Sequence, residues 1–335
     1  MIRNIKRRLA LHTLGALAIG LSTVGAHAQT PVTFQLNWTA GGANAGFAAA
    51  VAEGFYKEVG LDVKLVEGNG SGNTVQLAAN GRADLAYADA VAINQLIAKG
   101  APLKVISTVY QSNPNAVLAL KKVNIRSPKD LAGKKVGVPA GSSQTTMLPL
   151  FLKANGLRDT DVNLINMPPT SMVPSLLQGQ VDAILGSIDA YQIQLEAQGA
   201  ALDVYRFADF GVPTVSTSIF ATNSLLASSP DMVRRFVAAS LKGWYFAIDN
   251  PDRAVRALKK VFPNVNDKLA AQELAAIGPL FCSGGARYIG KAEDSAWAKS
   301  QELLSEVKLL PAGQDPKSYY THDFLPPAQS MRACR

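Results

Sequence analysis

Between Phe34 and Asp89 the chain alternates short apolar runs with polar, glycine-rich clusters, and each cluster opens a helical pattern. The pattern predicts a strand over Phe34–Leu36, a helix over Asn44–Lys57 stopped by Gly60, and a strand over Asp62–Val66. Gly68-Asn69-Gly70-Ser71-Gly72 then leads into a helix to Asn80, and Leu85–Tyr87 is a third strand. Asp89 caps a helix to Lys99, and Val105–Val109 is a fourth strand. A second set follows, with strands over Val117–Leu120, Lys135–Val138, Val162–Asn166 and Val181–Leu185. Its helices start at Ser127-Pro128-Lys129-Asp130, after Gly141-Ser142-Ser143, at Ser171 and at Ile188. Asp203–Arg206 and Thr217–Phe220 are extended. From Ser229 onward apolar residues recur at helical spacing, predicting a long helix through Ile248, another from Pro251, and helices at 267–277 and 291–306. Strands alternating with helices of this length predict an α/β fold of mostly parallel sheets flanked by helices.

In open α/β sheets a ligand sits beyond the carboxyl ends of the strands. In the first set that rule names Asn37 and Trp38, with Asn44 opening the next helix, then Gly68, Asn69, Gly70 and Ser71, then Asp89, then Tyr110 and Gln111. In the second set it names Gly141, Ser142 and Ser143, then Met167 and Thr170, then Gly186, Ser187 and Asp189. Trp38 offers a ring face to a flat heterocycle or a cation, with a core tryptophan as the plainer alternative. The Gly68–Gly72 run can bare backbone N–H groups toward an anion, or be an ordinary tight loop. Asp89 and Asp189 either cap helices or, if they face the cleft, accept N–H donors from a ring of the aminopyrimidine type. Trp244 and Tyr245 read as the core face of the long helix.

Residues 1–28 read as a cleaved secretory signal. Arg3, Lys6, Arg7 and Arg8 precede the apolar run Leu9–Val24, and Ala26-His27-Ala28 supplies small residues for cleavage before Gln29. The run is short for a membrane span and is broken by His12, Thr13, Gly15 and Gly20. No cysteine follows it for lipid attachment, so the expected compartment is the periplasm. The formal charge of +8 overstates the mature balance, because removing four basic residues and no acids leaves 29 bases against 25 acids. With no dense basic stripe, nucleic acid is not an expected partner. Cys282 and Cys334 can pair in an oxidising compartment, tying the tail to the body, or remain two free thiols. His322 is the only histidine after residue 28, and neither a G-x-S-x-G elbow nor an H-E-x-x-H pair occurs. No catalytic residue, metal or cofactor is therefore assigned.

The ordered segments LNW, AGF, EGFYKEVGLDV, GRADLAYADA, KGAPLKVISTVYQSNP, IRSPKDLAGKKVGV and GQVDAILG resemble the solute-binding proteins of ABC importers. The resemblance runs from about residue 34 to 250. It is nearest to binders of thiamine-pyrimidine precursors and more distant from those of nitrate, sulfonates and taurine. It implies a type II periplasmic binding protein with two lobes, 29–112 plus 220–335 and 113–219, joined by two crossing strands near Asn113–Leu120 and Val215–Ala221. It further implies a monomer that closes on a small solute and delivers it to an inner-membrane ABC permease with its ATPase. A pyrimidine precursor is the expected solute, and a sulfonate, nitrate or aromatic carboxylate is the alternative. Enzymes that synthesise a thiamine pyrimidine share the fold, but their cysteine-rich iron motif is missing here. A receptor domain that signals rather than transports would use the same cleft.

Overall fold

The computed structural model describes residues 28–334. The expected signal segment lies outside the described residues, apart from Ala28. In chain order the first unit holds β1 (Thr30–Gln35), α1 (Ala45–Ala52), α2 (Phe55–Glu58), β2 (Leu61–Val66), α3 (Ser71–Ala79), β3 (Leu85–Asp89), α4 (Ala90–Ala98) and β4 (Leu103–Thr108). The second holds β5 (Asn115–Leu120), β6 (Lys135–Pro139), α5 (Ser143–Ala154), β7 (Asn163–Met167), α6 (Pro169–Leu177), β8 (Ala183–Ser187), α7 (Tyr191–Glu196) and β9 (Leu202–Arg206). The chain then returns as β10 (Thr217–Thr222) and continues through α8 (Asn223–Ser228), α9 (Pro230–Asp249), α10 (Pro251–Val261), α11 (Asp267–Ile277) and α12 (Asp294–Glu306).

The strands form two five-stranded sheets of matching order, β2-β1-β3-β10-β4 and β7-β6-β8-β5-β9. In each, one strand runs against its neighbours: β10 is antiparallel to β3 and β4, and β5 to β8 and β9. Both units are thus mostly parallel α/β sheets flanked by helices. The central strands β3 and β5 are buried along their whole length, which is why they read as continuous apolar runs rather than as alternation.

Several elements differ from the sequence reading. The helix expected over Asn44–Lys57 is two helices, because the chain turns at Gly54 with φ +81°, a left-handed conformation suited to glycine. The start at Ser127 forms a capping box but yields only a single tight turn, Pro128–Leu131. The helix expected from Ile188 begins at Tyr191. The expected crossing strands are not crossings: β5 and β10 lie inside the second and first sheets, and the passes between sheets are the segments 109–114 and 207–216. Thr217–Ile219 pair with Tyr87–Asp89 of the first sheet. Asn113, fully buried, ties the two passes together by donating from Nδ2 to the Val212 carbonyl (2.8 Å) and to Thr214 Oγ1 (3.0 Å).

α1 and α9 cross closely. A Cβ on Gly243 would stand 2.2 Å from the Gly46 carbonyl oxygen, so glycine there lets the helices meet. α12 packs over both units: Leu303 and Leu304 share an apolar core with Val136 and Phe151 of the second, and Ser300 Oγ accepts the Val215 N–H at 2.7 Å. Cys282 and Cys334 form a disulfide, Cα atoms 5.3 Å apart, which fastens the tail beside Phe281. Among the described residues no helix is long and apolar enough to cross a membrane.

Candidate functional site

The carboxyl ends of the inner strands of both sheets face one another around a partly open cavity of about 250 Å³. From the first unit the loop after β1 brings Asn37, Trp38 and Asn44, the start of α3 brings Gly70 and Ser71, β3 brings Asp89, and Tyr110 follows β4. From the second, the start of α5 brings Ser142 and Ser143, and the end of β8 brings Ser187 and Asp189. These sequence-named residues line the cavity together. The units touch across it. The Gly72 N–H donates to the Gly141 carbonyl at 3.3 Å, and Trp38 meets Tyr191 edge to face.

Seven sequence-named positions are not on the wall. Gly68 is wedged against the Leu36 carbonyl, where a Cβ would stand at 2.2 Å. Asn69 bonds Asn73 at the surface. Gln111 is buried in the first pass and donates to the Thr108 carbonyl. Gly141 contacts Gly70 rather than the cavity, and Gly186 is packed against Leu118 and Tyr191. Met167 ends β7 and Thr170 follows it, and β7 is an edge strand away from the cleft; Met167 packs on Gly137 and Thr170 is exposed.

The Gly68–Gly72 loop turns part of its N–H groups into the protein. Its N–H groups at 68, 70 and 72 donate to the carbonyls of Trp38, Asn37 and Gly141. Ser142 caps α5, accepting the Thr145 N–H. Asp89 also acts as a cap: Oδ1 accepts the Val91 N–H and Oδ2 accepts the Ser216 hydroxyl, both at 2.9 Å.

Other wall residues were not named from the sequence. Tyr87 is central in β3 and reads as core; Asn115 and Thr217 belong to the antiparallel strands, whose ends the strand-end rule does not cover. Tyr191 opens α7 and Gln194 lies a turn further along it. Glu273 arrives from α11, far beyond either set of strands. One signal did exist for it: Ala270, Leu274 and Ile277 are the buried face of α11, and Glu273 is an acid on that same face.

The wall is rich in acceptors. Glu273 is 8% exposed and takes the Gly42 N–H on Oε2 at 2.7 Å; burial, reinforced by the charge of Asp189, pushes it up to about 7. Burial likewise pushes Asp89 up to about 6 and raises Asp189. Among the described residues no Lys, Arg or His lines the cavity. Among the described residues eight buried side-chain polar atoms lack a well-formed hydrogen bond, and three of them, Asn44 Oδ1, Asn115 Nδ2 and Tyr87 OH, the last set beside Thr217 and Tyr110, belong to this one wall. Buried polar groups are normally bonded, so such a concentration marks a surface shaped for a polar guest. Trp38, Tyr87, Tyr110 and Tyr191 supply the apolar rest.

Two facing α/β units with a cavity between their strand ends define the architecture of a two-lobe binding protein. The family model described as "NMT1/THI5 like" matches residues 43–254, and the chain belongs to this family. It is 28% identical to the riboflavin-binding protein RibY of Chloroflexus aurantiacus over 287 residues, 83% of this chain and 81% of that protein. It is 26% identical to the formylaminopyrimidine-binding protein of Halalkalibacterium halodurans over 229 residues, 68% of this chain and 69% of that one. The solved alkanesulfonate-binding protein SsuA from Xanthomonas axonopodis pv. citri bound to MOPS superposes with a TM-score of 0.69 at 17% identity, covering 88% of this chain and 98% of that one. That likeness shows the fold.

Proposed function

We propose that this chain is the solute receptor of an ABC importer, capturing one small, planar, nitrogen-containing ring between its lobes and passing it unchanged to a membrane permease. It acts in the periplasm as a monomer, with 29–112 plus 217–335 and 113–216 as the moving lobes, the boundary shifted from 219 because Thr217–Ile219 pair with the first sheet. The observation that carries the reading is the convergence of unbonded buried polar atoms from both lobes, Asn44 from one and Asn115 from the other, on one aromatic-walled cavity. A guest supplies the missing partners only when the lobes shut, which couples capture to closure. Hinge closure of this kind is a presentation device, and ATP hydrolysis belongs to the importer's cytoplasmic subunit.

The proposed contacts are Asn37, Trp38, Asn44, Ser71, Tyr87, Tyr110, Asn115, Asp189 and Glu273. The alternative guests, a sulfonate, nitrate or aromatic carboxylate, would meet three carboxyl groups and no basic side chain. The test is a thermal-shift screen of pyrimidines, flavins, sulfonates and nitrate, followed by small-angle scattering and product analysis on the best hit. A saturating guest at a hundred times its Kd should stabilise the protein by about 2.7 kcal/mol. Compaction with the guest recovered unaltered supports the receptor; a converted guest would mean a pyrimidine-synthesising enzyme instead.

A further inference from the structure

We infer that the guest is a cation: a planar ring bearing an amidinium or protonated amino group, held between Asp189 of the second lobe and Glu273 of the first. This rests on the receptor reading above and narrows it to a charge class.

Asp189 follows β8 and Glu273 lies on α11, so the two carboxyl groups are brought to one cavity only by closure of the lobes. They are 7% and 8% exposed. A carboxylate removed from water costs several kcal/mol unless it is paired or bonded. Glu273 has one hydrogen bond, from the Gly42 N–H, Asp189 is met by the Ser187 hydroxyl and its own N–H, and no ion pair with either acid exists among the described residues. Two like charges drawn together without a counter-ion oppose closure. A cation between them removes both the repulsion and the burial cost at once.

The other groups facing the pair sharpen the argument. Asp89, at the end of β3, has both oxygens bonded within the protein, so it deepens the negative field without competing for the guest. Tyr87 and Tyr110 are buried phenols held well above their ordinary values by burial, and Tyr191 on α7 is raised the same way, so all three stay neutral. Asn44 Oδ1 is an unbonded acceptor on a residue 1% exposed. It is a third acceptor besides the two acids, which suits a guest with several N–H donors. The ring faces of Trp38 and Tyr191 suit a delocalised cation equally well.

The test uses three probes of one shape and differing charge: benzamidinium, benzamide and benzoate, by calorimetry at pH 8 on the mature chain. Benzamidinium should bind at least tenfold more tightly than benzamide, and benzoate should not bind. Glu273→Gln and Asp189→Asn should each shrink the benzamidinium advantage about tenfold. Because both substitutions preserve shape, thermal unfolding confirms that the variants fold. Lowering the pH of the unmutated protein from 8 to 5 should shrink the same advantage without any substitution. Equal binding of benzamide and benzamidinium with compaction in scattering would sink the cation inference and leave the receptor standing. Failure of all three to bind or compact the protein, together with a blank result in the wider solute screen, would sink both.

Discussion

Trp38, in the loop after β1, meets Tyr191, at the start of α7, edge to face with ring centroids 6.3 Å apart and planes at 86°. One ring belongs to each lobe, so the pair forms only when the cleft is shut. Trp38 also packs against the apolar residues of the second lobe. It therefore has two tasks, closing the cavity and offering a face to the guest. Trp38→Ala is expected to weaken binding of the best solute by about 1.5–3 kcal/mol, or ten- to a hundredfold. The stability of the ligand-free chain should change less, because the ring is only partly buried. Titration calorimetry on the two proteins decides the matter: unchanged affinity would exclude Trp38 from the guest's surroundings.

Closure has a second contact point at Gly70. Its φ of +139° favours glycine, and a Cβ there would stand 2.8 Å from the Gly141 carbonyl in the opposite lobe. Gly70→Ala should therefore hold the lobes apart, raising Kd at least tenfold and abolishing compaction on ligand addition. Gly81→Ala is the control, since Gly81 also has positive φ, +70°, but open space around it. Both variants lose about 1 kcal/mol or more of stability from backbone strain. Only Gly70→Ala should lose closure; equal scattering curves for the two would refute the contact.

How much of this was legible depends on which physical rule applies to each residue. α11 was read at 267–277 and is found over Asp267–Ile277, because amphipathic spacing with a polar start is a local signal. Asp89 was legible as a cap for the same reason. Met167 and Thr170 were misplaced because strand order is not written locally: β7 looks like any other strand, and only its position at the sheet edge removes it from the cleft. Glu273 was missed because the strand-end rule says nothing of a helix that comes back to the cleft from the far end of the chain. Tyr87 was hidden by being both core and wall, its ring packed on Phe47 while its hydroxyl reaches the cavity beside Thr217 and Tyr110.

The Cys282–Cys334 disulfide closes a loop across a separation of 52 residues. On the loop-entropy model, removing it costs about 4 kcal/mol of stability. The paired variant Cys282→Ser with Cys334→Ser should melt correspondingly lower, and reductant should move the unmutated protein toward the same value. Neither cysteine lines the cavity, so the solute Kd of the folded variant should stay within about twofold. A large loss of affinity at unchanged stability would mean that the tail shapes the cleft.

The share of ligand-free stability carried by Glu273 and Asp89 should fall as the pH rises. Burial pushes Glu273 from 4.5 up to about 7 and Asp89 from 3.8 up to about 6. Both folded values exceed the unfolded ones, so the folded chain holds extra protons between about pH 4 and 7. The stability tied to those protons is complete below about pH 4 and is lost as the pH climbs through 6 and then 7. Glu273→Gln cannot ionise, and its amide oxygen can still accept the Gly42 N–H. At pH 8 the variant should therefore be more stable than the unmutated chain by about 3 kcal/mol, while near pH 4 the two should agree. Urea unfolding at pH 4, 6 and 8 measures the difference directly, and other titrating groups cancel in the comparison. A constant offset across that range would show that Glu273 does not carry the buried proton.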